Sequence, residues 1–90
     1  MFNLDDIKKT AHNLKPILHI GKKGITRPLI DQIRSLINKK KLIKIKLNKS
    51  ISSLRDRKEL ANEIVSKCDC ILINVIGNNI VLLSKGKNGN

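Results

Sequence analysis

The sequence predicts a two-layer α/β domain of order αβαβαββ, a mixed four-stranded sheet with helices packed on one face. Three observations carry the prediction. Apolar residues recur at helical spacing in three stretches, and apolar runs with strand character separate those stretches. Gly77-Asn78-Asn79 lies between the last two runs and supplies turn residues for a hairpin. Strands linked through a helix run parallel with a right-handed crossover, whereas a hairpin is antiparallel, so the sheet is mixed.

In chain order, Leu4, Ile7, Ala11 and Leu14 make the apolar stripe of a first helix, with Asn3 as its cap and Asp5 and Asp6 in its first turn. Pro16 keeps Lys15 extended and opens a strand over Ile17–Ile20 that stops at Gly21. Thr26 caps a second helix running to about Asn38, with Pro28 in its first turn and Ile25 and Ile30 placed as a hydrophobic staple. Its apolar face is Leu29, Ile30, Ile33, Leu36 and Ile37, and Lys39-Lys40-Lys41 ends it. Leu42–Leu47 alternates, with Ile43, Ile45 and Leu47 to one side and Lys44 and Lys46 to a wet, basic side. Asn48–Ser52 reads as a polar loop. Ser53-Leu54-Arg55-Asp56 has capping-box form for a third helix, whose stripe is Leu54, Leu60, Ala61, Ile64, Val65 and Cys68. Ile71–Ile76, nearly all apolar and β-branched, suits a central strand, and Ile80–Leu83 closes the hairpin. Residues 1–84 form the one domain and 85–90 a polar, frayed tail.

Nineteen Lys and Arg against 7 Asp and Glu give a net charge of +12, which calls for a polyanionic partner, nucleic acid before membrane. Phe2 is the single aromatic residue, which excludes modules that stack bases on aromatic side chains and leaves recognition to backbone and shape. No apolar run approaches a membrane span and no signal peptide is recognisable, so a cytoplasmic location is expected. Two cysteines supply no disulfide framework. His12, His19, Cys68 and Cys70 lack the C-x-x-C spacing of zinc sites, and no nucleophile, base and orienting group share a recognisable pattern. The chain is therefore read as a non-enzyme without metal, cofactor or small-molecule substrate. It is expected to be a monomer, because no heptad seam or leftover apolar stripe is visible.

The candidate site follows from topology. Loops leaving the carboxyl ends of parallel strands share an edge, and helix N-termini point to it. Gly21-Lys22-Lys23-Gly24, Thr26 and Arg27 then face Lys49, Arg55 and Lys58. Glycines let a backbone approach closely, and two ammonium groups beside a helix N-terminus favour phosphate. G-x-x-G alone is more often a tight turn; two lysines within it, in a chain of net charge +12, favour binding. Lys39–Lys41 lie at the opposite edge as a solvated helix end. Lys44 and Lys46 admit two readings, extended RNA contact or plain strand alternation.

Lys15-Pro16-Ile17-Leu18-His19-Ile20-Gly21-Lys22-Lys23-Gly24-Ile25-Thr26, Leu42-Ile43-Lys44-Ile45-Lys46 and Val75-Ile76-Gly77-Asn78-Asn79-Ile80-Val81-Leu82-Leu83 together resemble the CRM domain in its single-domain, YhbY-like form. The resemblance implies an RNA-binding domain similar in fold to the carboxyl-terminal domain of translation initiation factor three, with Gly21, Lys22, Lys23 and Gly24 as the RNA-contacting loop. It also implies association with ribosomal RNA in large-subunit precursors. The chain departs from the family at Leu83-Ser84, where an aromatic and a basic residue are common. Two other readings compete: an Alba-like nucleoid or RNA-chaperone protein, dimeric on duplex DNA, and a protein-interaction module of the ribosome.

Overall fold

The computed structural model describes residues 4–85. Its elements are α1 (Leu4–Asn13), β1 (Leu18–Ile20), α2 (Arg27–Lys40), β2 (Leu42–Leu47), α3 (Lys49–Ser52), α4 (Arg57–Cys68), β3 (Ile71–Ile76) and β4 (Asn79–Leu83). The four strands form one mixed sheet in the order β1-β2-β4-β3, with β1 and β2 parallel and β4 antiparallel to both its neighbours.

The sheet order explains the layers. β1, β2 and β3 run in one direction and each crossover moves the same way across the sheet, so right-handedness puts both crossover helices, α2 and α4, on the same face. There Ile30, Ile33 and Ile37 of α2 and Leu60, Ala61 and Ile64 of α4 close over Leu18, Ile20, Ile43, Ile45, Leu47, Ile80 and Leu82 in one core. α1 precedes the first strand and is not subject to the crossover rule. It packs on β2 through Ala11, which is buried outside that core. Val81 is also buried apart from the core, as is Lys44, its register partner, so both point to the second sheet face, and α1 covers that face over β2. One-sided packing therefore holds for α2 and α4 but not for α1. The second face is accordingly less open than alternation implied: Lys46 is exposed, Lys44 only 8 % so.

The structure departs from the sequence reading at several points. Asn48–Ser52 is not a loop throughout, because Lys49–Ser52 makes the turn of helix α3 and buries Ile51. Ser53 ends α3, and the long helix starts one turn later at Asp56, whose carboxylate accepts from the Lys58 and Glu59 amides; Leu54 is left 68 % exposed. The element order is thus αβαβααββ. β3, read as central, is an edge strand with Ile71 and Ile76 exposed, and β4 holds the central place with Ile80, Val81 and Leu82 fully buried. The start of α2 is as the sequence indicates: the Leu29 amide donates to Thr26 Oγ1 at 3.3 Å. β1 is one residue shorter than expected, although the Ile17 amide still donates to the Lys44 carbonyl. The Asn3 cap and positions 86–90 of the tail lie outside the described residues, whereas Lys85 pairs with Asp69 at 2.7 Å.

Candidate nucleic-acid interface

Three connections meet at the carboxyl edge of β1, β2 and β3. The first is a closed turn, in which the Gly24 amide donates to the Gly21 carbonyl at 2.9 Å and leaves Lys22 and Lys23 at the exposed corner. Gly24 has φ +73°, a backbone conformation that costs an L side chain about 1–2 kcal/mol. The second connection is Asn48 with α3. It is tied to the first by the Asn48 amide donating to the Ile20 carbonyl, and the two are in ordinary packing contact: a Cβ at Gly21 would lie 3.6 Å from Asn48 Nδ2 and one at Gly24 3.5 Å from Ile51 Cδ1. The third is the Gly77-Asn78 turn, held to the sheet by the Leu47 amide on the Asn78 carbonyl and to α4 by Arg57 Nη1 on the Gly77 carbonyl at 2.9 Å.

Lys22, Lys23, Arg27, Lys49 and Lys58 stand exposed along this edge, and among the described residues none is engaged in an ion pair. Thr26 is half-buried, its hydroxyl oxygen used by the α2 cap. The N-termini of α2 and α4 open to the same edge and add positive dipole ends. Asp56, the N-cap of α4, accepts from the Lys58 and Glu59 amides, whose positive ends oppose its charge. The arrangement is a cationic edge, which can take phosphate groups.

Arg55 is placed differently from the sequence reading. Its guanidinium donates to Glu63 Oε1 at 2.8 Å and lies 3.7 Å from Glu59, so it is turned along α4 and committed to carboxylates. The hydrogen bond to Glu63 raises the Arg55 pKa above its ordinary value, and the same bond, with a second from Lys67, lowers that of Glu63. Arg57, not Arg55, reaches the edge, where it donates to the Gly77 carbonyl. The signal for it is in the sequence: Asp56 followed by Glu59 is a cap spacing as good as Ser53 followed by Asp56, and it moves the helix start past Arg55. Lys46 lies on the second sheet face, paired in register with His19 and Asn79, while Lys44, on the same face, is only 8 % exposed.

Among the described residues no three His, Cys, Asp or Glu side chains gather as a metal site, and no helix is long and apolar enough to cross a membrane.

A family model for the CRS1 / YhbY (CRM) domain matches residues 3–83. The probable RNA-binding protein YqeI of Bacillus subtilis is 31 % identical over 81 residues, which is 90 % of this chain and 82 % of that protein. A probable RNA-binding protein of Methanocaldococcus jannaschii is 29 % identical over 76 residues, 84 % of this chain, and the match spans only 56 % of that longer protein. The solution structure of a Staphylococcus aureus protein, itself proposed to bind RNA, superposes with a TM-score of 0.79 at 31 % identity and covers all of this chain and 95 % of the other.

Proposed function

The chain belongs to the CRS1 / YhbY (CRM) domain family, and on that footing we propose that it is a non-enzymatic RNA-binding protein that holds RNA backbone along the Gly21–Gly24 edge. Lys22, Lys23, Arg27, Lys49 and Lys58 supply phosphate contacts and the glycines allow close approach; Arg57 supports the rim. The observation that carries this reading is the meeting of the Gly-Lys-Lys-Gly turn with Asn48 and α3 beside two helix N-termini. Relatives named as probable RNA-binding proteins support RNA as the polyanion. We further propose ribosomal RNA in large-subunit precursors as the target, a step that rests on the family resemblance. Arg55 and Lys44 drop out of the contact set, and Lys46 remains as a flank.

The test measures binding of the purified protein to a structured ribosomal RNA fragment and to duplex DNA of equal length, with a Lys22→Ala, Lys23→Ala double variant alongside. Preference for RNA that weakens in the double variant is expected. Equal or tighter binding to duplex DNA would favour the Alba-like reading, and no binding to either would favour a protein-interaction module.

A further inference from the structure

Around the corner from the glycine turn, a groove of about 340 Å³ runs between α2 and α4, lined by Ile25, Thr26, Arg27, Ile30, Asp31, Arg34 and Lys67. Its size falls within the ~300–1,000 Å³ usual for small-molecule sites. The other cleft, at the far ends of the same helices by Cys68 and Lys85, holds about 80 Å³ and is too small for a nucleotide. The larger groove begins at Thr26, two residues beyond Gly24, so a strand whose phosphates follow the rim passes its mouth.

The lining is unusual for a surface that otherwise repels cations. Arg27, Asp31 and Arg34 are spaced i, i+4 and i+7 along α2 and so share one side of it. They are placed to neutralise one another, yet the Asp31 carboxylate forms no ion pair or hydrogen bond among the described residues. On the opposite wall Lys67 is held by Glu63 at 3.0 Å. Ile25 and Ile30 supply apolar surface at the core side. The groove therefore offers an apolar floor, two unpaired guanidinium groups and one free carboxylate.

We infer that this groove is a nucleobase subsite, which receives one unstacked guanine from the strand held at the glycine turn; the inference rests on the RNA-binding reading above. A carboxylate presents two acceptor oxygens side by side. The Watson–Crick edge of guanine presents two adjacent donors, N1–H and the exocyclic amine, and matches it with two parallel hydrogen bonds. Adenine and cytosine each put a ring acceptor beside their single amine, and uracil flanks its one N–H with two carbonyl oxygens, so each brings a lone pair against Asp31. Guanidinium planes can cover a base face where aromatic rings are lacking, and Arg27 and Arg34 stand on either side of Asp31 for that purpose or for the flanking phosphates.

The experiment uses the full chain and a uridine-rich single-stranded RNA with one central position varied as G, inosine, A or C. Affinities are compared for the native protein, Asp31→Asn and the Lys22→Ala, Lys23→Ala variant, each checked for folding by its urea midpoint. The guanine strand is expected to bind roughly 5- to 150-fold more tightly than the adenine strand, the range for a well-matched pair of base contacts, with inosine between them because it lacks the amine. Asp31→Asn should remove the preference while leaving the adenine strand as tight or tighter; the double lysine variant should weaken every strand and keep the ratio. No preference in the native protein, or a preference that survives in Asp31→Asn, overturns the subsite while RNA binding stands. Binding confined to structured RNA overturns it likewise, and failure to bind any RNA takes down both readings.

Discussion

Gly24 shows how one backbone angle can separate binding from stability. With φ +73° and only ordinary van der Waals room against Ile51, Gly24→Asp should cost about 1–2 kcal/mol of strain, offset by roughly 0.3–1 kcal/mol from the α2 dipole. The same carboxylate would sit amid Lys22, Lys23 and Arg27, where losing even one charge-assisted contact costs ~1.5–3 kcal/mol, or tenfold and more in affinity. We expect a folded variant whose RNA affinity falls at least tenfold, whereas Lys40→Glu, at the opposite end of α2, changes affinity little; titrations of RNA and urea melts on both variants decide it. The thiols give a second expectation. Cys68 and Cys70 are buried, and burial raises both, Cys70 to about 11. At pH 8 the folded Cys70 is almost wholly protonated and shielded, so alkylation should be slow until urea unfolds the chain. Because the unfolded thiol ionises first, near its ordinary pKa of about 8.5, stability should fall as pH rises from there toward 11; urea midpoints across that range test the sign.

Element boundaries were decided by competition between caps. Ser53 and Asp56 both carry cap-forming side chains, and Asp56 prevails because Ile51 has to be buried beneath the glycine turn, which uses the intervening residues to close α3. Asp56→Ala should therefore lower stability by about 1 kcal/mol and Ser53→Ala by less than about 0.5. Leu54→Ala should be close to neutral, since Leu54 is mostly exposed, whereas Leu60→Ala should cost ~2–5 kcal/mol. Urea unfolding of the four variants would rank them, and an inverted order for the two caps would return the helix start to Ser53.

For the molecule as a whole, charge and edges set behaviour in solution. With four to six phosphates neutralised along the rim, log K against log salt should have a slope of roughly −3 to −5; a slope near zero would remove the electrostatic reading. β3 leaves an apolar edge that strand periodicity did not reveal, with Ile71 at 42 % and Ile76 at 38 % exposure. Two half-exposed isoleucines are far short of the ~800 Å² per partner of a stable interface, so sedimentation at micromolar concentration is expected to show a monomer.

Local patterns in the sequence were enough for whatever local physics decides: helix and strand periods, the Thr26 cap, the parallel and antiparallel pairings, and the meeting of the Gly21–Gly24 turn with Asn48 at one edge. They were also enough for the family, which the glycine turn, its flanking strand and the two later strand motifs pointed to and the family model matches over residues 3–83. Tertiary structure alone decided which of two good caps starts α4, that Arg55 turns to Glu63 and leaves the edge to Arg57, and that α1 crosses to the second face and covers Lys44. It also decided that β4, and not β3, lies at the centre. The reason is common to all of these: a period or a cap signal ranks options within a few residues, whereas burial and ion pairing are settled by partners far along the chain, which the sequence lists without saying where they lie.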